Sequence, residues 1–181
     1  MAFFTTAASS TRGRSGRGLL RPFLHGIALL CALTSTLAAA PASAQKANIS
    51  GLTDLTFTSV SFTSPSTTMS EDICVYSSSF PEKYQITASG SGIGGSFTLA
   101  SGANTLAYQV AWSSSPGQTS GGTSLSAGVP LTGQTSSASQ KTCNSGPATS
   151  ASLIVTIPYS AVDAATAGNY SGTLSLTVIP E

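Results

Sequence analysis

The sequence predicts an all-β protein, an antiparallel sandwich of two sheets. Short bursts of alternating apolar and polar residues recur roughly every 8 to 12 residues after residue 51, which is the spacing typical of sandwiches. Gly, Pro, Asn and Ser, the residues that favour turns, separate these bursts. No apolar pattern with a helical period extends far enough to predict a long helix in this part of the chain.

The first 44 residues are predicted to be a signal peptide that does not contribute to the fold. Four arginines lie in residues 12–21, an apolar run too short for a comfortable membrane span covers residues 27–40, and residues 42–44 (Ala-Ser-Ala) match a cleavage site. Removing 44 of the 181 residues leaves a single domain of 137 residues, 45–181, with no expected membrane attachment.

The charges of residues 45–181 argue against several classes of function. Three lysines face six carboxylates, a net charge of −3, and no Arg or His is present. Such a surface cannot neutralise phosphates, so no nucleic-acid partner is expected. Without His or Arg, the usual catalytic and metal-binding constellations cannot form, and we expect neither an enzyme nor a metal or other cofactor. Glu71 and Asp72 are adjacent, and neighbours on a strand point to opposite faces.

Cys74 and Cys143 are the two cysteines of the predicted domain. An exported protein meets an oxidising compartment, so a disulfide between them is the default expectation. The alternative is a pair of buried thiols.

The first strands are predicted from three bursts. In residues 52–62 the apolar parity changes near Thr58, which indicates a bulge or a strand that changes sheet. Pro65 interrupts the pattern, and residues 73–76 form a short second strand. Residues 84–88 alternate and form a third.

A hairpin is predicted next. The glycine-rich residues 90–95 contain no Lys and open no helix, so we interpret them as a turn and not as a phosphate loop. Residues 97–99 form one arm of the hairpin, and residues 106–112 form a strong return strand.

The rest of the chain is predicted to hold edge strands, a central strand and a helical turn. Residues 113–141 are polar, with one or two short edge strands around Leu125, Val129 and Leu131. The β-branched run of residues 153–157 is typical of a central strand. Residues 158–167 contain enough Ala and Val for one helical turn.

The last predicted strand, residues 169–178, alternates strictly. Four apolar residues are expected to face the core: Tyr170, Leu174, Leu176 and Val178. Tyr170 follows a Gly-Asn turn and is either a tyrosine corner or an ordinary buried tyrosine. The complete pattern favours an immunoglobulin-like sandwich. The sequence ends at Glu181, three residues after Val178. We expect a fold that lacks the strand which would normally follow.

Several stretches carry a resemblance to a known family: Cys-Val-Tyr-Ser at residues 74–77, residues 84–92, residues 95–99 with residues 104–110, and residues 167–178, which begin Ala-Gly-Asn-Tyr-Ser-Gly-Thr-Leu. They resemble the spore coat protein U (SCPU) domain family, which includes the pilins of archaic chaperone–usher pili. The resemblance covers nearly all of residues 45–181.

This resemblance implies an immunoglobulin-like fold without its seventh strand and a structural role in a surface pilus or fibre. The missing strand would come first from a periplasmic chaperone and then from another pilus subunit, with an outer-membrane usher as a further partner. The groove along the core face of the last strand would be the acceptor. The implied location is the periplasm in transit and then the cell surface or an extracellular fibre, with a role in adhesion or biofilm formation.

One departure from the family concerns the donor strand. Only residues 45–51 precede the first predicted strand, and Ala47, Ile49 and Gly51 alternate with polar residues as a short donor segment would. The subunit therefore donates weakly, borrows part of residues 52–62, or only accepts a strand.

A free-standing secreted or periplasmic binding module is the alternative function. Trp112, Tyr108 and Tyr76 are the aromatic residues that could stack on a sugar ring, although alternating Tyr108 and Trp112 fit core packing better.

Overall fold

The computed structural model describes residues 2–10, 44–60, 62–79 and 81–181. These residues form two β-sheets packed face to face, which confirms the all-β sandwich. The basic segment, the apolar run and the first two cleavage-site residues of the predicted signal peptide lie outside the described residues.

The elements follow one another as short strands with two brief helical turns. In chain order they are β1 (Ala2–Ser10), β2 (Ala47–Ser50), β3 (Leu55–Phe57), β4 (Thr67–Ser77), β5 (Lys83–Gly90), a 3₁₀ turn (Ile93–Gly95), β6 (Thr98–Ser101), β7 (Asn104–Ala107), β8 (Gln109–Ser113), β9 (Thr123–Ser124), β10 (Leu131–Thr135), β11 (Ala151–Ile157), α1 (Tyr159–Asp163) and β12 (Tyr170–Pro180).

Strand pairing is antiparallel with one exception among the described residues. The first sheet has the order β10-β5-β12-β1-β3, and β6 joins β12 beyond the end of β5 and carries β7. The second sheet has the order β2-β4-β11-β8-β9. The exception is β1, which runs parallel to β12.

The core lies between the sheets and is built from the inward residues of both. From the first sheet, Tyr84, Ile86 and Ala88 on β5 are fully buried, as their alternation predicts. From the second sheet, β11 is central, between β4 and β8, and Leu153, Val155 and Ile157 are fully buried. Residues 153–157, the apolar run predicted to be a central strand, therefore lie on the central strand of the second sheet.

Two predicted strands have different bounds in the structure. In the described part of the predicted strand 52–62, the one strand is β3, and the chain bends at Thr58, where the apolar parity changes. The predicted strand 73–76 is the end of β4, which begins six residues earlier at Thr67. Residues 67–72 pair fully with β11 although five of these six residues are polar, because all six side chains keep some access to solvent.

The predicted hairpin is confirmed, but its return strand divides between the two sheets. β6 pairs with β7 from Thr98↔Ala107 to Ser101↔Asn104 in the first sheet. After Tyr108 the chain continues as β8, which pairs with β11 in the second sheet. The predicted edge strands of residues 113–141 correspond to β9 and β10.

The segment between β11 and β12 supports the start of the last strand. The predicted helical turn is present as α1, and Val162 on it is buried. The Tyr170 hydroxyl donates a hydrogen bond of 2.6 Å to the backbone carbonyl of Thr166, four residues upstream. This is the backbone contact of a tyrosine corner.

Strand β1 belongs to residues 1–44, the segment that is predicted to be a signal peptide outside the fold. In the full chain it pairs with β12 over nine residues, from Ala2↔Tyr170 to Ser10↔Val178. Its other edge meets β3 over three residues, from Ala2↔Phe57 to Phe4↔Leu55. An open strand edge offers unpaired backbone groups that any extended segment can satisfy, which is the physical reason for this placement.

Candidate functional site: the slot beside the last strand

The candidate site is the position between β12 and β3, which we name the slot. One edge of β12 pairs with β5, from Leu174↔Gly90 to Pro180↔Tyr84, and with β6 at Ser171. The opposite edge pairs with β1 only, among the described residues. Among the described residues of the range 44–181, therefore, no strand pairs with that edge.

The core face of β12 forms the apolar wall of the slot. Leu174 and Leu176 are fully buried, Val178 is 1% exposed and Tyr170 is 5% exposed. The polar residues between them remain partly or fully accessible. The structure therefore brings together the four last-strand residues that the sequence singles out, and they line the position where a strand adds to the sheet.

The register of β1 shows which residue types now occupy the slot. Thr6, Ala8 and Ser10 are the partners of Leu174, Leu176 and Val178. These three residue types are small or polar, and the one large apolar partner on the same parity is Phe4, opposite Gly172. At the register positions of Leu174, Leu176 and Val178, β1 therefore carries small or polar residue types.

An apolar pocket of about 180 Å³ opens at the Tyr170 end of the slot. Its apolar lining includes Val60, Phe62, Leu106, Val162 and Tyr170. Phe62 is 66% exposed, so the pocket opens to solvent beside an accessible aromatic ring. Because Ala2 is the partner of Tyr170, this pocket lies next to the first described residue of β1. No pattern in the sequence marks this pocket.

The proposed donor segment lies elsewhere in the fold. Ala47 and Ile49 are on β2, an edge strand of the second sheet, where both side chains are buried in the domain's own core. Gly51 follows this strand with a φ of 85°, a conformation that glycine adopts without strain. The structure thus shows these residues as part of the domain's own sheet rather than as a free extension.

The disulfide between Cys74 and Cys143 is confirmed. It joins the end of β4 to the polar segment that follows β10, and it closes a loop of 69 residues. Both cysteines are buried with Ala138, and Tyr76 packs against the group they form. The bond lies at the edge of the second sheet, next to β2.

The three candidate sugar-binding aromatics are not equivalent. Trp112 is 1% exposed and Tyr108 is 4% exposed, so both belong to the core. Burial raises the pKa of the Tyr108 phenol to about 12. Tyr76 alone of the three is partly accessible, and it lines two open polar clefts, one with Lys141 and Asn144 and the other with Ser78 and Glu82.

The carboxylates on β4 have structural partners. Glu71 accepts hydrogen bonds from the backbone amide and the hydroxyl of Thr53. Asp72 accepts hydrogen bonds from the Gly117 amide at 2.8 Å and the Ser152 hydroxyl at 2.6 Å. The two side chains therefore form hydrogen bonds to different segments of the chain and do not act as a pair. Across the part of the chain that the structure describes, no three His, Cys, Asp or Glu residues form a group that could hold a metal ion.

No family model, curated protein or solved structure matches the chain. The resemblance to the SCPU domain family therefore stays a prediction from the quoted residues. Among the described residues, no helix combines the length and the apolar character that crossing a membrane requires.

Proposed function

We propose that residues 45–181 are a structural subunit of a secreted surface fibre or pilus, completed by a β-strand that another chain supplies. The observation that carries this proposal is the edge of β12 that faces the slot. In the part of 44–181 that the structure describes, no strand pairs with this edge, and β1, from outside that range, fills the slot in the full chain.

The physical basis is strand addition to an open sheet edge. A strand of nine residues satisfies the free amide and carbonyl groups of β12, and its alternate side chains meet the apolar wall formed by Tyr170, Leu174, Leu176 and Val178. Left open, the same edge would favour aggregation, so an exported subunit needs a partner at once. A periplasmic chaperone followed by a second subunit, delivered through an outer-membrane usher, supplies such strands in order. A fibre built in this way serves adhesion or biofilm formation.

The deciding experiment compares residues 45–181 with the same domain carrying a donor strand fused after Glu181. We expect the fused strand to raise the melting temperature by several degrees or more, because it closes the edge of β12. A matched control carries a fused strand whose alternate apolar residues are replaced by Asp. An unfused domain that is monomeric and equally stable would remove this proposal.

The second candidate function is a free-standing binding module with a carbohydrate ligand. The observation that favours it is the partial exposure of Tyr76 between two clefts lined by hydroxyl, amide and charged groups. This module needs no donor strand, so the same fusion experiment separates the two functions. Binding of soluble oligosaccharides that Tyr76→Ala abolishes would support it.

A further inference from the structure

Contacts beyond its four-residue pairing with β4 hold strand β2 in place. It pairs antiparallel with β4, from Ala47↔Ser77 to Ser50↔Cys74. Just before it, the Lys46 amide donates to the Ser78 hydroxyl at 2.7 Å, and the Ser78 amide donates to the Lys46 carbonyl at 2.8 Å. A short edge strand is ordinarily among the first parts of a domain to open, so further contacts are needed to hold it.

Those further contacts converge on one backbone atom, the carbonyl oxygen of Lys141. It accepts a hydrogen bond from Asn48 Nδ2 at 2.9 Å and a longer one from Ser50 Oγ at 3.4 Å. Asn48 and Ser50 lie on the opposite parity from Ala47 and Ile49, which are buried. The strand is therefore held by the core on one face and by the Lys141 carbonyl on the other.

The disulfide fixes the position of this carbonyl. Lys141 lies two residues before Cys143. The Cys143 amide closes a turn by donating a hydrogen bond of 3.2 Å to the backbone carbonyl of Gln140. Cys143 is bonded to Cys74, and Cys74 is the partner of Ser50. The segment that holds β2 is thus covalently attached to the strand on which β2 lies.

We propose that the Cys74–Cys143 bond is a redox latch that retains β2 in its own sheet. Reduction by a dithiol transfers two electrons and two protons, which leaves thiols at Cys74 and Cys143 and converts the reductant into its own disulfide. Without the disulfide, the Lys141 carbonyl can move away from β2. Ala47–Ser50 then becomes an extended segment with alternating Ala47 and Ile49.

The release of β2 has two consequences for interactions with other chains. The pairing of β4 with β11 ends at Ile73, so residues 74–77 of β4 lose their strand partner when β2 leaves. The released segment also has the alternation that a slot of another subunit accepts, and this second consequence rests on the proposed function. In the oxidised state the subunit accepts a strand but withholds Ala47–Ser50.

Amide hydrogen exchange on the full chain tests the latch. The oxidised protein is compared with the protein treated with dithiothreitol and with the Cys74→Ser/Cys143→Ser double variant. We expect exchange of the β2 amides to speed up at least about tenfold more than exchange of the central strand β11 in both thiol-state samples. No change in β2, or an equal acceleration in β2 and β11, would overturn the proposal.

A second variant separates the carbonyl contact from the general stabilising effect of the disulfide. Asn48→Ala leaves the bond intact and removes the 2.9 Å contact, so we expect a smaller but measurable acceleration confined to β2. Asn144→Ala, an exposed residue of the same loop, is the matched control and should leave β2 unchanged. If Asn48→Ala and Asn144→Ala behave alike, the Lys141 carbonyl does not act as the latch contact. These readouts do not depend on whether the slot accepts a donor strand.

Discussion

The indole Nε1 of Trp112 donates a hydrogen bond of 3.1 Å to the Tyr84 hydroxyl, and this contact joins the two sheets across the core. The rings meet edge to face at an interplanar angle of 85°, with centroids 6.5 Å apart. Tyr84 is on β5 beside β12, whereas Trp112 is on β8. The contact therefore connects the sheet that contains the slot to the opposite sheet.

Tyr84→Phe should destabilise the domain by about 1–3 kcal/mol, because the buried indole N–H loses its acceptor. Chemical denaturation measures this as a lower midpoint at an unchanged slope. Tyr159→Phe is the matched control, since Tyr159 is 45% exposed, and should change little. Similar effects from both substitutions would show that the contact contributes no stability.

Stability should fall at alkaline pH. Burial raises the pKa of Tyr84 from 10.0 to about 12, although the hydrogen bond from Trp112 opposes the rise, and burial alone raises the pKa of Tyr108 to about 12. Between these values the unfolded chain loses phenol protons that the folded chain keeps, so the free energy of unfolding decreases as pH rises. Below about pH 10 this contribution is fully present.

Denaturation at about pH 9 and about pH 11 tests this dependence. Tyr84→Phe and Tyr108→Phe should each reduce the loss of stability between these pH values and remove one late step from the phenolate absorbance titration. A titration that keeps both late steps in the two variants would contradict the assignment.

Leu176→Ala should cost about 2–5 kcal/mol, since the side chain is fully buried against the opposite sheet. Ser175→Ala, on the neighbouring position of the other parity, should cost little because Ser175 keeps some access to solvent. Thermal or chemical denaturation of the two variants measures the difference. Equal losses would mean that the register of β12 is wrong.

Ser150→Ala should cost about 1–3 kcal/mol, which is large for a serine. The fully buried Ser150 hydroxyl accepts from the Val75 amide at 2.9 Å and donates to the Val75 carbonyl at 2.8 Å. Alanine would leave the amide without this acceptor in the core. The exposed Ser120 provides the control, and Ser120→Ala should leave the denaturation midpoint unchanged.

The period-2 alternation predicts which side chains face the core, but it does not predict which sheet a strand joins. Leu106, Tyr108, Val110 and Trp112 keep one parity and are all buried, so the sequence reads as a single strand. The chain nevertheless crosses between the sheets at Tyr108. Both sheets face the same core, and a side chain that points inward from either one satisfies the same period-2 pattern.

The buried serines show a second limit of sequence reasoning. Ser136 and Ser150 are buried because their hydroxyls satisfy Val75, and Ser77 is buried because its hydroxyl donates to the Lys83 carbonyl at 2.8 Å. In a chain so rich in serine, nothing in the local sequence distinguishes these positions from exposed ones. Their partners are distant backbone atoms that only the folded chain brings close.

The sequence predicts the apolar wall of the slot, but it does not predict the strand that occupies the slot. The wall formed by Tyr170, Leu174, Leu176 and Val178 follows from local alternation. The occupant of the slot does not, because β1 pairs with a strand near the other end of the chain and in parallel. The pocket near Phe62 also combines residues from three separate segments, and no periodic pattern marks it.

The residues opposite the wall should determine how tightly a strand binds in the slot. We compare nine-residue peptides added to residues 45–181: one with the sequence of residues 2–10, and one in which Thr6, Ala8 and Ser10 are replaced by Val, Leu and Val. These three positions register with Leu174, Leu176 and Val178, so the larger side chains should bury more apolar area against the wall.

We expect the substituted peptide to bind at least about tenfold more tightly and to raise the melting temperature further, because each added methylene that is buried contributes about 0.8 kcal/mol. The control peptide makes the same three replacements at Thr5, Ala7 and Ser9, which register with Thr173, Ser175 and Thr177. It gains hydrophobicity without facing the wall. If both substituted peptides bind equally well, the gain in affinity is non-specific, and the slot does not distinguish which face of the strand carries the apolar side chains. If only the first gains affinity, the core face of β12 selects its donor.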